Sequence, residues 1–105
     1  MADESDVLEV TRAEDGTIIV TGDVDAHSVV DLSREIDSRS GAVVLDLGGV
    51  GFIDSSGIRV LVETHSRCRD VGNEFRIVAV SAPVRRLFEI TGLTGYLLGE
   101  VDESN

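Results

Sequence analysis

The chain reads as one α/β domain, a mixed, mostly parallel sheet of four to five strands with helices packed on it and an antiparallel hairpin at its start. Three observations predict this. Two short β-prone runs flank an Asp-Gly step near the N-terminus, two continuous apolar runs lie at residues 42–47 and 75–80, and residues of helical period separate and follow those runs. Strands that alternate with helices are joined by crossovers, and crossovers favour parallel pairing.

The elements follow in order. Val7-Leu8-Glu9-Val10 and Thr17-Ile18-Ile19-Val20-Thr21 are strands, and Glu14-Asp15-Gly16 between them carries the dipeptide that suits a hairpin turn. Over residues 28–38, Val29, Leu32 and Ile36 recur at helical spacing with charged residues on the other side, and Gly41 follows. Residues 42–47 form an unbroken apolar run, the pattern of a strand buried on both faces. That strand is expected to end in Gly48-Gly49-Val50-Gly51-Phe52-Ile53, where glycines let the chain turn tightly toward a helix. After Asp54, the positions Ile58, Leu61, Val62, His65 and Cys68 share one helical stripe, and Gly72-Asn73 supplies a stop. Phe75-Arg76-Ile77-Val78-Ala79-Val80 reads as another buried strand. Pro83 then stands where a first helical turn accepts it, ahead of Val84, Leu87, Phe88 and Ile90, and Gly92 closes that helix. Tyr96-Leu97-Leu98 is assigned to an edge strand, and residues 99–105 to a fraying polar tail.

A chain of 105 residues suffices for one domain with a modest core, expected over residues 7–98 with flexible termini, so one functional site is sought. A formal charge of −11 argues against nucleic acid and anionic membrane surfaces, which are bound by clustered Lys and Arg. The basic residues are all Arg; the absence of Lys excludes mechanisms that need a lysine ammonium or a Schiff base. The N-terminus Met1-Ala2-Asp3-Glu4-Ser5-Asp6 is acidic where a secretory signal is basic and then apolar. No apolar run approaches membrane-spanning length, so a cytoplasmic location is expected. The single Cys68 has no internal disulfide partner, in keeping with a reducing compartment.

The strongest candidate site is the strand-to-helix junction near Ser55, because open α/β sheets place ligands at the carboxyl ends of parallel strands. Asp54 and Ser55 are equally well read as capping residues, with Ser55 at or near the N-cap, or as a functional pair. A phosphoserine carries roughly −1.5 to −2 charge and is tolerated at a helix N-terminus. Beside Asp54 and Asp25 it would oppose a partner that docks on the neutral hydroxyl. The glycines at 48, 49 and 51 lack both the third glycine of a dinucleotide turn and the Lys-Ser or Lys-Thr of a phosphate loop. Asp46 ends an apolar run as a phosphoacceptor aspartate would in a receiver domain, but the lysine such domains carry is missing, which leaves Asp46 as a turn or cap residue. His65 and Cys68 are two residues where a metal site needs more, and core packing is the better reading. His27 supports no triad, and the pairs Asp23 with Asp25 and Asp25 with Asp54 are read as a solvated acidic face before an acid–base couple.

The run Val44-Leu45-Asp46-Leu47-Gly48-Gly49-Val50-Gly51-Phe52-Ile53-Asp54-Ser55-Ser56-Gly57-Ile58 resembles the STAS family, and within it the bacterial anti-sigma factor antagonists. Gly22-Asp23-Val24-Asp25, Val80-Ser81-Ala82-Pro83-Val84-Arg85-Arg86-Leu87-Phe88 and Ile90-Thr91-Gly92-Leu93 follow the same order, and the likeness spans residues 7–98. The resemblance implies a binding protein with no catalysis of its own; no cofactor or metal is expected, and the charge and hydropathy above leave neither nucleic acid nor membrane as an expected partner. It implies that an anti-sigma factor with serine kinase activity phosphorylates Ser55, with Ser56 as the fallback. The unmodified form would bind that anti-sigma factor and release the sigma factor, and a metal-dependent serine phosphatase would restore it. Asp25, Asp54, Gly57, Ile58 and Arg59 fall on the implied partner surface. Two departures stand out: residues 99–105 hold no apolar period where the family's C-terminal helix runs, and Arg59 replaces a residue that is commonly small. The alternative that the resemblance leaves is an accessory STAS subunit of a transporter or a stress-signalling scaffold. A hydrolase built on Asp25, Asp54 and Ser55 would lack a positioned base.

Overall fold

The fold is taken from a computed structural model, which describes residues 7–99. The hairpin turns where the Asp-Gly step places it. Asp15 Oδ1 accepts from the Thr17 amide at 2.9 Å, the Ala13 amide donates to the Thr17 carbonyl at 2.8 Å, and β1 (Glu9–Arg12) pairs antiparallel with β2 (Ile18–Val24). The chain then crosses through α1 (Val29–Asp37) to β3 (Val43–Ile53) and through α2 (Ser55–Val71) to β4 (Phe75–Val80), both pairings parallel, in the sheet order β1-β2-β3-β4. α3 (Ala82–Thr91) and α4 (Thr94–Leu98) follow. The result is the mixed, mostly parallel α/β domain the sequence predicts, with four strands.

One apolar face organises the core. Ile18, Val20 and Val24 of β2 and Val43, Leu45, Leu47, Val50 and Ile53 of β3 are buried in a single cluster. Leu32 and Ile36 of α1, Leu61 and Cys68 of α2, Val84 and Phe88 of α3 and Leu97 of α4 join the same cluster, so all four helices cover the same side. The strands at 42–47 and 75–80 are therefore not buried on both faces. Val44 and Asp46 are half-buried, and β4 lies at the sheet edge with Arg76, Val78 and Ala79 exposed. The Arg12 guanidinium locks the hairpin to α1: its Nε meets Glu35 Oε2 at 2.8 Å, and its terminal nitrogens donate to the carbonyls of Gly16 and Glu35.

The glycine segment is not a turn but the second half of β3. Between the pairs Ile19 with Asp46 and Thr21 with Gly49, and again between Gly22 with Val50 and Asp23 with Phe52, β3 contributes one residue more than β2. Each extra residue is a β-bulge, and the two together space the buried residues Leu47, Val50 and Ile53 by three where a regular strand spaces them by two. Asp46 sits within the strand, and its Oδ1 accepts from the Gly48 amide at 2.9 Å, satisfying a donor at the bulge; it is neither a turn nor a cap residue. Gly49 backs onto Thr21, where a Cβ would fall 2.6 Å from Thr21 Cγ2. β3 thereby runs past the end of β4, whose pairing stops at Leu47 with Val80.

At the C-terminal side, Ser81 caps α3, accepting from the Val84 amide and donating to the Val50 carbonyl, with Pro83 in the first turn as expected. Residues 96–98 form the end of the short helix α4 and not an edge strand. Leu93 and Leu97 are four apart, the Leu97 amide donates to the Leu93 carbonyl, and Gly99 at φ 68° ends the turn. The expectation for the tail beyond Gly99 lies outside the described residues. His65 is held between the rings of Phe75 and Tyr96 at 5.0 and 4.2 Å, and Cys68 is buried beside it on the stripe, so both serve packing. Burial lowers the His65 pKa, with Arg69 adding to the effect, and raises that of the Cys68 thiol. Among the described residues, no group of three or more His, Cys, Asp or Glu side chains is placed to hold a metal, and no helix is long and apolar enough to cross a membrane.

Gly22 sits where a side chain has no room. Its φ is 94°, and a Cβ there would fall 2.2 Å from the Val7 carbonyl oxygen, a backbone atom. Gly22→Ala is expected to lower the stability read from urea unfolding by about 2–4 kcal/mol through positive-φ strain and overpacking together.

Candidate functional site

β3 passes into α2 without an intervening loop, and Asp54 makes the junction. Its backbone is extended, at φ −107° and ψ −171°, and its amide donates to the Val24 carbonyl at 3.0 Å, closing the β2–β3 ladder. Its Oδ1 accepts from the amides of Ser56 at 2.8 Å and Gly57 at 3.3 Å, and its carbonyl accepts from Ile58 at 3.0 Å. Asp54 is thus the N-cap, and Ser55 is the first helical residue. The possibility that the Ser55 hydroxyl caps the first turn gives way to the stronger carboxylate acceptor one residue earlier.

With capping assigned to Asp54, Ser55 is exposed at the start of the helix, while Ser56 is half-buried. Gly57 is buried and sets how deeply the helix start sits. A Cβ at this position would fall 2.5 Å from Ile53 Cγ1 and 2.8 Å from Val24 Cγ1. Ile58 is half-buried against the core. A groove between α1 and α2 brings Ser55, Ser56 and Arg59 together with Val29 and Val60. Arg59 stands four residues after Ser55 and pairs through Nε with Glu63 Oε2 at 3.2 Å.

Asp25 lies next to Val24, beside the Asp54 junction, yet lines a separate depression with Asp23, His27, Ser28 and Asp31. Its Oδ1 accepts from the amides of His27 at 3.0 Å and Ser28 at 2.8 Å, while the Asp25 amide donates to Ser28 Oγ at 3.0 Å. Ser28 Oγ also donates to the Asp23 carbonyl. This reciprocal Asp25–Ser28 pair has the logic of a capping box and fixes the loop ahead of α1. The sequence reading missed Ser28, though the Asp-x-x-Ser spacing carries the signal. It also missed Val29 and Val60 as groove walls, which no local pattern marks. Asp25 accepts from amides of the loop before α1 and Asp54 from amides in the first turn of α2, so each carboxylate fixes the backbone that follows it.

The STAS domain family model matches residues 8–104, and the chain belongs to that family. The anti-sigma-B factor antagonist of Listeria monocytogenes is 32% identical over 81 residues, 73% of this chain and 71% of that protein. BtrV of Bordetella bronchiseptica, named as a candidate anti-sigma factor antagonist, is 36% identical over 62 residues; these cover 59% of this chain and 53% of BtrV, about half its length. Among solved structures, the anti-sigma factor antagonist SpoIIAA in its unphosphorylated form superposes with a TM-score of 0.64 at 20% identity, over 87% of this chain and 84% of that one. SpoIIAA from Bacillus has also been solved in its phosphorylated form.

Asp54→Ala should cost about 1 kcal/mol in urea unfolding through loss of the cap. The backbone amide of Ser28, followed by its side chain and the His27 amide, holds the Asp25 carboxyl below the usual carboxylate range, against opposing desolvation. A depressed folded-state pKa stabilises the fold above the unfolded value of about 3.9 and ceases to do so as pH falls through the folded value. The unfolding midpoints of wild type and Asp25→Asn, measured against pH, should differ most near neutrality and converge in acid.

Proposed function

We propose that the chain is an anti-sigma factor antagonist switched by phosphorylation of Ser55. In its unmodified state it binds an anti-sigma factor that has serine kinase activity, through the surface around the start of α2, and so releases the sigma factor. The observation that carries this reading is the exposure of Ser55 immediately after the Asp54 cap, free of any capping duty. The names of the relatives support the partner class, and SpoIIAA, of the same fold, exists in both phosphorylated and unphosphorylated forms.

In the transfer step, Ser55 Oγ attacks the γ-phosphorus of ATP bound to the partner. A new O–P bond forms, the bond from that phosphorus to the β–γ bridging oxygen breaks, ADP leaves, and the hydroxyl proton passes to a base on the kinase. The domain supplies an acceptor and no catalytic group. The phosphate then adds roughly −1.5 to −2 charge next to Asp54, and a surface that fitted a neutral hydroxyl becomes bulkier and anionic. A metal-dependent serine phosphatase reverses the step by hydrolysis.

Incubation with candidate anti-sigma kinases and ATP, followed by mass-spectrometric mapping, tests the assignment. Phosphate is expected on Ser55 and absent from Ser55→Ala. Undiminished labelling of Ser55→Ala, or a phosphate mapped to Ser56 alone, contradicts it.

A further inference from the structure

Arg59 gives this chain something that an exposed serine after a cap does not by itself provide. Ser55 and Arg59 are four apart on α2, the spacing at which helical side chains meet, and both line the groove with Val29 and Val60. Arg59 pairs with Glu63 one turn further on, Nε to Oε2 at 3.2 Å, with side-chain exposures of 75% and 61%. A pair so exposed contributes little and exchanges readily. Arg67 and Arg69, the other arginines of α2, lie two or more turns beyond.

We propose that Arg59 is the internal counter-ion of phosphorylated Ser55: on modification it leaves Glu63 and clamps the phosphate. This deepens the phosphoserine reading of the same site and rests on it. A phosphoserine offers more charge than the Glu63 carboxylate and three acceptor oxygens that match the guanidinium fork. The Asp54 carboxylate, already bonded to the Ser56 and Gly57 amides, repels the new charge from the cap side, which leaves the Arg59 side as the favourable one. The side-chain swing this needs is short, since Glu63 and Ser55 flank Arg59 by one turn each way.

The switch then has two parts. Phosphorylation places an anion at position 55, and it withdraws the Arg59 cation from the outer surface of α2 while leaving the Glu63 carboxylate unpaired by it. A partner that reads this helix meets a change extending over two turns from a single modification.

The test is a 31P NMR titration of the full chain carrying phosphoserine installed genetically at position 55, which needs no kinase. The second ionisation of phosphoserine lies near pH ~6 and falls when a cation is held against the dianion. Wild type should ionise about half a unit lower than Arg59→Ala, an estimate kept small because the pair is exposed. Arg59→Lys should fall between them, since an ammonium lacks the fork. Glu63→Gln, which frees Arg59, should ionise no higher than wild type. The difference should shrink in high salt. Equal ionisation in wild type and Arg59→Ala overturns the clamp, as does a rise in Glu63→Gln. Because the phosphate is installed directly, a failed clamp leaves kinase mapping of Ser55 untouched. Conversely, a phosphate mapped elsewhere by a kinase would overturn the functional reading without altering this titration. A purely structural role for Arg59 would not move the phosphorus titration.

Discussion

One residue joins the sheet to the site. The Asp54 amide completes the β2–β3 ladder at Val24, and its carboxylate, one residue beyond the last strand position, supplies acceptors for the first turn of α2. A loop would allow the helix start to drift; here the strand end fixes it. The two bulges of β3 matter for the same reason. They allow Leu47, Val50 and Ile53 all to face the core, so the strand reaches Asp54 with Ile53 buried beneath the helix and Gly57 seated on it. Ser55 inherits its exposure from this chain of constraints.

Under the proposed switch, Ser55 already stands exposed for modification. The groups that would respond to a phosphate are already arranged: Asp54 bound to amides, Asp25 holding the neighbouring loop through Ser28, and Arg59 on the next turn of α2. The energies at stake are those of exposed ion pairs and caps, small beside a folded core but able to bias a protein interface. In that proposed switch the change is electrostatic, at the surface of a domain whose buried apolar residues form one cluster among the described residues.

Much of the frame was legible because it is local chemistry. The Asp-Gly step, Pro83 and the closing glycines Gly72 and Gly92 each do what their conformational preferences dictate. What was not legible depends on tertiary placement. Gly48, Gly49 and Gly51 read as a turn because glycine serves both turns and bulges, and only the register against β2 distinguishes the two. The apolar run at 42–47 could not reveal that every helix packs on one side. Tyr96-Leu97-Leu98 is too short for its period to separate strand from helix. At the site, Asp54 and Ser55 were both plausible caps from their residue types, and the hydrogen bonds to Ser56 and Gly57 decide for Asp54.

The measurement that bears most directly on the switch is calorimetric titration of the anti-sigma partner with the full chain, unmodified and with phosphoserine at position 55. Tight binding of the unmodified protein is expected, with a loss of at least tenfold in affinity for the phosphorylated one, equivalent to about 1.4 kcal/mol. Equal affinity of the two forms would contradict it.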